Sequence, residues 1–147
     1  MKSFLSDAIS RASAQGGDLG PTYSNEYSSA DQELVRILES LKTNIKIIGC
    51  GGGGTNTIDR LSEVGIMGAE IYAANTDAQH LLAVRSPHKL LLGRRSTRGL
   101  GAGALPQVGE EAAREAEDEL RKILTGSDIV FVTAGMGGGT GTGSAPY

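Results

Sequence analysis

The sequence is first informative through what it has little of. Tryptophan is absent, aromatic residues make up 4%, and Cys50 is the single cysteine. One cysteine excludes an internal disulfide and an all-cysteine metal site, and it fits a reducing compartment. No apolar run approaches the roughly 20 residues of a membrane-spanning helix, and residues 1–14 lack the apolar region of a secretory signal. We therefore expect a cytoplasmic protein with no direct membrane insertion.

The sequence also lacks an excess of basic residues. Lysine and arginine number 14 against 17 aspartates and glutamates, so the net charge is −3. Because nucleic-acid binding is dominated by neutralisation of phosphates, we expect no nucleic-acid partner. The hydrophobic content of 39% supports a core, and the scarcity of aromatic residues favours an aliphatic α/β interior.

Glycine, in contrast, is abundant and clustered. Of 22 glycines, five lie in residues 49–54, three in 99–103 and six in 135–143. The last cluster follows an apolar run, 128–134, that predicts a buried parallel strand. Glycine has no side chain to bury, but it lets several backbone N–H groups face one point and bind an anion such as phosphate. A flexible linker is the alternative, although linkers usually follow polar sequence.

The order of apolar runs and loops predicts an α/β fold, a Rossmann-like parallel sheet with helices on both faces. Residues 1–43 are predicted to be an extension with an amphipathic turn at 1–14, a linker at 15–28 and a helix that begins at Ser29. Residues 44–147 are predicted to form the domain itself. Its predicted strands are 45–48, 69–74, 89–92 and 128–134, and its predicted helices pass through Ile58 to a stop at Gly65, and over 78–84 and 106–124.

Every informative loop in this arrangement follows a strand, at the edge where open α/β sheets bind ligands. The polar run 75–79 follows the second strand, and Asp77 could also cap the next helix. The sequence therefore predicts one ligand site at the carboxyl edge of the sheet.

Two kinds of nucleotide site compete for the first glycine loop. Gly49, Gly51 and Gly54 match the dinucleotide fingerprint, and Asp77 lies near the position of its ribose-binding acid. An NAD-binding domain of an oxidoreductase is therefore an alternative, but the match is weak inside an all-glycine run. A dinucleotide-binding domain would also not explain the second glycine loop, which follows a later strand. The common ATP/GTP P-loop is absent, since no glycine loop carries its lysine, so backbone amides and Mg²⁺ would offset the phosphate charge.

Four motifs, in order along the chain, resemble the tubulin/FtsZ family. Residues 138–143, with Ser144, Ala145 and Pro146 after them, are similar to its signature loop. Similarity to the family's first, second and third nucleotide loops is found in residues 48–52, 75–79 and 98–103, respectively. The resemblance covers residues 44–147, and the N-terminal extension is most similar to that of archaeal members. Thr55, which could still donate from its hydroxyl, and Leu105, which replaces a usual asparagine, depart from the pattern.

The resemblance implies a GTPase that polymerises head to tail with copies of itself into the filaments of the cell-division ring. It implies GTP or GDP with Mg²⁺ as cofactors, and membrane-tether and division-regulator proteins as further partners at the division site. The residues carried over to the phosphates and metal are Gly52, Gly53, Gly54, Thr55 and Asn56 at the α- and β-phosphates, Gly139, Thr140 and Gly141 at the β/γ end, Ala102 and Gly103 at the γ-phosphate, and Asn75 and Asp77 near the phosphates and Mg²⁺.

The resemblance also implies that this stretch holds no catalytic residue. In the family the ribose and guanine contacts lie beyond Tyr147, as does the acidic loop that a neighbouring subunit inserts against the γ-phosphate. We therefore expect the N-terminal part of a GTPase domain, incomplete at its C-terminus and inactive alone. His80 and His88 are predicted to be isolated surface or loop residues. A nucleotide sensor that does not hydrolyse its ligand is the remaining alternative.

Overall fold

The structure, a computed structural model, describes residues 29–147, without the side chains of Ser29, Ala30 and Glu39. The amphipathic turn and the linker expected in residues 1–28 lie outside the described residues. The chain divides into two compact units after Leu41. The first contributes helix α1 (Ser29–Ser40), which begins at the predicted residue. Asp31 lies in its first turn, where the positive end of the helix dipole stabilises a carboxylate.

The second unit is built on a four-stranded parallel sheet with strand order β3-β2-β1-β4. Ile45 lies opposite both Ala69 and Ile129, and Cys50 lies opposite both Ala74 and Ala134. Three strands therefore end level with one another, and the loops that follow them start from the same edge. The strands are β1 (Ile45–Cys50), β2 (Ala69–Asn75), β3 (His88–Leu91) and β4 (Ile129–Ala134).

Helices cover both faces of this sheet, which confirms the predicted architecture. They are α2 (Gly51–Val64), α3 (Ala78–Ala83), α4 (Pro106–Glu115), α5 (Glu117–Leu124) and α6 (Thr140–Ser144). One core joins α2 and α3 to the sheet through Ile58, Ile71, Ala73, Leu81 and Val84. The other joins α4 and α5 to it through Ile48, Cys50, Ala74, Leu90, Leu92, Ala112 and Ala116. None of the helices in the described part of the chain has the length and hydrophobicity to span a bilayer.

The glycine runs are more helical than the sequence predicts. Strand β1 continues to Cys50 and α2 begins at Gly51, so residues 52–56 form the first turns of a helix. Similarly, α6 begins at Thr140, inside the last glycine run. Glycine is a poor helix former, so propensity argued against both helices. The close approach of neighbouring backbone favours glycine here instead.

Several boundaries also differ from the prediction, most by one residue. The helix expected over 106–124 is two helices, because Ala116 leaves helical geometry (φ −95°, ψ 12°) and its N–H bonds the carbonyl of Ala113 at 3.1 Å. The third strand begins at His88 and ends at Leu91, one residue earlier than expected. Leu92 continues past it and donates its N–H to the carbonyl of Asn75 at 2.9 Å.

The expectation that β4 is a buried strand is wrong within residues 29–147. In this part of the chain β4 pairs only with β1 and is an edge strand. The side chain of Phe131 is 55% exposed, and Ile129, Val130 and Val132 are also exposed. Val130 and Val132 line a cavity of about 680 Å³ together with Leu120 and Leu124. The apolar sequence of β4 therefore does not correspond to burial in this part of the chain, where the strand has a neighbour on one side.

Removal of the Ile58 side chain tests the packing of α2. Ile58 is 0% exposed and packs between α2 and the sheet. We expect Ile58→Ala to lower the free energy of unfolding by about 2–5 kcal/mol, because the substitution leaves a cavity. Val64 lies at the end of the same helix and is 67% exposed. Val64→Ala should therefore change the free energy of unfolding by less than about 0.5 kcal/mol. Urea unfolding of both variants checks this, and equal effects would contradict the packing of α2.

Candidate functional site

The first and last glycine runs meet at the carboxyl edge of the sheet. A Cβ atom on Gly51 would lie 2.6 Å from the backbone N of Gly141, and Gly51 has a left-handed φ of +69°. A Cβ on Gly53 would lie 3.1 Å from the Cα of Gly135. A side chain on Gly51 would separate the start of α2 from the start of α6. A side chain on Gly53 would separate α2 from the loop that follows β4. Glycine therefore lets these two backbones form one continuous surface.

The third loop joins the same surface through Gly139. A Cβ on Gly139 would lie 2.7 Å from the backbone N of Leu105 and 2.9 Å from the Cβ of Ala102. Gly139 has φ −80°, so the close approach, not a left-handed backbone, is what requires glycine. Ala102 is buried beneath the contact, while Gly103 next to it is exposed and has φ +58°. The structure thus brings the predicted residues of three loops together.

Several backbone N–H groups at this edge form no backbone hydrogen bond in the loops of the described residues. They include those of Gly52 and Gly53 in the first turn of α2, and those of Gly137 and Gly139 before α6. The start of a helix leaves such groups unpaired and carries a partial positive charge. A Cβ on Gly52, Gly137 or Gly138 would meet no atom within 4 Å, so open space lies beside them. This arrangement fits a bound anion, and a phosphate chain in particular.

The side chain of Thr55 is used inside the protein. It is fully buried, and its hydroxyl donates to the carbonyl of Gly51 at 2.8 Å. A hydroxyl has one proton to donate, so this bond withdraws the donor that the sequence suggested for a phosphate. Thr55 instead stabilises the left-handed turn with which α2 begins.

Two buried threonines connect the second loop to α6. The hydroxyls of Thr76 and Thr140 lie 2.6 Å apart, and both side chains are buried. One of the two hydroxyls donates to the other, which leaves the second proton for another acceptor. Thr76 was not among the predicted site residues, although it lies between Asn75 and Asp77. Its position within that polar run was the only signal for it in the sequence.

The second loop holds its own polar side chains in fixed directions. Asn75 is 3% exposed, and its Oδ1 accepts the N–H groups of Thr76 at 2.9 Å and Asp77 at 3.4 Å. The Oδ1 of Asp77 accepts the N–H of His80 at 2.9 Å and caps α3, as one of its two predicted roles requires. The side chains of Asn75 and Asp77 therefore support the loop directly.

The expectation that His80 is an isolated residue is wrong. Its imidazole is half-buried, with Nδ1 at 3.0 Å from Asn75 Nδ2 and 3.2 Å from Thr55 Oγ1. Its Nε2 lies 3.1 Å from Asn56 Oδ1. His80 thus contacts three of the predicted site residues. His88 is exposed, as expected, and its ring stacks on Tyr72 with centroids 4.7 Å apart.

The edge carries little negative charge of its own. Burial raises the pKa of the Cys50 thiol, although a hydrogen bond with Ser144 acts in the opposite direction. The thiol at the end of β1 is therefore neutral near pH 7. Residues 29–147 contain no group of three or more His, Cys, Asp or Glu side chains that could hold a metal. A cation at this edge would depend on a ligand for most of its coordination, as Mg²⁺ does when it is bound through phosphates.

Comparison with known proteins gives a consistent result. The family model for the Tubulin/FtsZ family, GTPase domain, matches residues 44–147. Cell division protein FtsZ 1 of Archaeoglobus fulgidus is 53% identical over 146 residues, which are 99% of this chain and 39% of that protein. FtsZ 1 of Halobacterium salinarum is 56% identical over 131 residues, 89% of this chain and 32% of that protein. The chain thus spans less than half the length of these relatives.

Solved structures agree with these sequence matches. An FtsZ mutant from M. jannaschii superposes with a TM-score of 0.74 at 52% identity, covering 81% of this chain and 36% of that one. A GTPγS-bound protofilament of CetZ2 from Haloferax volcanii gives a TM-score of 0.57 at 26% identity, covering 71% of this chain and 34% of that one. The motifs, the parallel sheet and these matches together show that the chain belongs to the Tubulin/FtsZ family and corresponds to part of its GTPase domain.

Proposed function

We propose that the complete protein binds and hydrolyses GTP and polymerises head to tail into filaments of the cell-division ring. The observation that carries this proposal is the meeting of two helix starts at one edge, where unpaired backbone N–H groups face open space. Their spacing requires glycine in the first and last runs, whereas the glycines of residues 99–103 have left-handed φ angles. Family membership selects guanine nucleotide as the ligand.

The residues at this edge suit different parts of a triphosphate. The first turns of α2 would bind the α- and β-phosphates, and the start of α6 would bind the β/γ end, since both present unpaired N–H groups. Gly103 is exposed beside buried Ala102 and would cover the γ-phosphate. Asn75 and Asp77 would lie near the phosphates and Mg²⁺, and Mg²⁺ would supply charge neutralisation when bound. The residues proposed for the site are Gly52, Gly53, Gly54, Thr55, Asn56, Asn75, Asp77, Ala102, Gly103, Gly139, Thr140 and Gly141, of which Thr55 would act by holding the turn at Gly51.

Hydrolysis in this proposal is completed by a second copy of the protein. Both ring nitrogens of His80 are engaged with neighbouring side chains, so His80 is not available to take a proton from water. Two solved relatives are described as an FtsZ dimer and a GTPγS-bound protofilament, which supports assembly of this kind. We therefore propose that an acidic loop of the next subunit positions the attacking water.

We further propose the setting in which the complete protein acts. Residues 1–43 would be an extension and residues 44–147 the N-terminal part of the GTPase domain. The protein would act in the cytoplasm at the division site, with tether and regulator proteins that link its filaments to the membrane. The absence of a basic excess, at a net charge of −3, argues against nucleic acid as a partner.

The alternative of an NAD-binding oxidoreductase is not favoured. The Asp77 carboxylate, which would have to bind the ribose of NAD, caps α3 by accepting the N–H of His80. The last glycine run also lies against the first, with Gly141 next to Gly51. A dinucleotide-binding domain needs one glycine loop, so it would leave the second loop without a role. A nucleotide sensor without hydrolysis differs from the main proposal only in turnover, which the third experiment below measures.

Gly52→Ala tests the phosphate site without disturbing the fold. A Cβ on Gly52 meets no protein atom within 4 Å, and alanine favours a helix, so stability should be unchanged or slightly raised. The added methyl group would occupy the space where a phosphate approaches the amides. We expect GDP affinity to fall at least about tenfold, or about 1.4 kcal/mol. Fluorescence titration with labelled GDP checks this, with Val64→Ala as the control, and wild-type affinity in Gly52→Ala would contradict the site.

Thr140→Ala and Thr140→Ser separate the hydroxyl from the rest of the side chain. The Thr76 and Thr140 hydroxyls share a hydrogen bond in which either can donate, and when Thr76 is the donor the Thr140 proton is free for a phosphate oxygen. Loss of a charge-assisted hydrogen bond should cost Thr140→Ala about 1.5–3 kcal/mol, or roughly tenfold to a hundredfold in affinity for GTP. Thr140→Ser keeps the hydroxyl and should bind almost as tightly as the wild type. Equal affinities for all three proteins would remove Thr140 from the site.

The dependence of turnover on concentration tests completion of the site by a second subunit. Phosphate release per molecule of complete protein should be negligible below a critical concentration and should rise with polymer measured by light scattering. A rate per molecule that is constant from the lowest concentrations would contradict completion by a neighbour. Binding without any turnover, at concentrations where filaments form, would support the sensor alternative.

A further inference from the structure

We infer that His80 is a positioning residue of the nucleotide site. Its imidazole, with Nδ1 as acceptor and Nε2 as donor, joins the first turns of α2 to the loop that follows β2. The inference rests on the proposed function, because it assigns His80 a role in holding the loops that bind the nucleotide. It does not make His80 a contact of the nucleotide itself.

The direction of the Asn75 side chain determines which nitrogen of His80 accepts a hydrogen bond. Asn75 Oδ1 accepts the backbone N–H of Thr76 at 2.9 Å, so this atom must be the oxygen. The other end of the carboxamide, Nδ2, therefore points to His80 Nδ1 at 3.0 Å. An amide nitrogen can only donate, so Nδ1 carries no proton and accepts.

The remaining neighbours of the ring agree with this assignment. The proton of the Thr55 hydroxyl is directed to the carbonyl of Gly51 at 2.8 Å, which is closer than His80 Nδ1 at 3.2 Å. With Nδ1 unprotonated, the neutral ring carries its proton on Nε2, and Nε2 donates to Asn56 Oδ1 at 3.1 Å. This tautomer pairs Nδ1 with Asn75 and Nε2 with Asn56, while the Thr55 proton stays on the carbonyl of Gly51.

The bond network places His80 between two parts of the site that leave different strands. Asn56 lies in α2 after β1, whereas Asn75 ends β2, and the two strands finish level with each other. His80 is itself anchored, because its backbone N–H is the one that Asp77 caps. The imidazole therefore sets the distance between the amides of α2 and the carboxylate of Asp77.

A second link between the same elements provides a matched comparison. Arg85, just after α3, forms a two-point ion pair with Asp59 of α2 at 2.9 and 3.1 Å. The Arg85 guanidinium lowers the pKa of the Asp59 carboxyl to about 2. Asp59 lies in α2 more than one turn beyond the glycine run and has no hydrogen bond with Asn56, Asn75 or His80 in the described residues. Loss of this pair should loosen α2 without moving the nucleotide loops.

Three substitutions at His80 test the inference in the complete protein. His80→Ala removes both hydrogen bonds and should weaken GDP binding about tenfold, or about 1.4 kcal/mol. His80→Asn keeps an acceptor near the place of Nδ1, and His80→Gln keeps a donor near the place of Nε2. Each should restore part of the lost affinity, which a purely space-filling role would not predict. Asp59→Asn should bind GDP as the wild type does, and thermal unfolding of every variant is measured alongside.

The tautomer is observed directly in the wild-type protein. Nitrogen-15 NMR of labelled histidine should show a proton on Nε2 of His80 and none on Nδ1. A proton on Nδ1 would overturn the inference whether or not any variant folds. The inference would also be overturned if His80→Ala bound GDP with wild-type affinity while Gly52→Ala bound it weakly. Wild-type affinity in both of these variants, or no binding of GDP by the wild type, would overturn the proposed function instead.

Discussion

The carboxyl edge of this sheet depends on the contact between two backbones, at the start of α2 and the start of α6. Gly51 and Gly141 approach so closely that a Cβ on the first would lie 2.6 Å from the nitrogen of the second. Because β1 and β4 end level with each other, the two helices start side by side. Their dipoles and unpaired N–H groups then act on the same volume. Any side chain at this contact would separate them and divide one anion site into two weaker ones.

The α/β order and the place of the site could be predicted from the sequence because their signals are local. Apolar runs define the strands, Gly65 ends α2 with a left-handed φ of +80°, and Asp77 caps α3 with its own side chain. Each of these depends on residues a few positions apart. A sheet of parallel strands then places all of their following loops at one edge by topology alone.

Other features could not be predicted because they depend on contacts between distant residues. Gly51 begins a helix because Thr140 and Gly141 lie against it, some ninety positions later in the chain. The exposure of β4 depends on which strands pair with it. The role of His80 depends on Asn56 and Asn75, which only the packing of α2 beside β2 brings within reach. An isolated histidine in a sequence carries no such information, so the pattern favoured the wrong interpretation.

The polar side chains at this edge act mainly on the protein, and the backbone is what remains for a ligand. Thr55 binds the carbonyl of Gly51, Asn75 binds the N–H of Thr76, and His80 connects Asn75 to Asn56. Each of these bonds fixes the direction of a main-chain segment next to unpaired N–H groups. Backbone amides have no rotamers to lose on binding, so their alignment costs entropy during folding and not when the nucleotide arrives. The side chains are therefore selected for how they hold the loops, which is why a histidine without a catalytic role can matter for affinity.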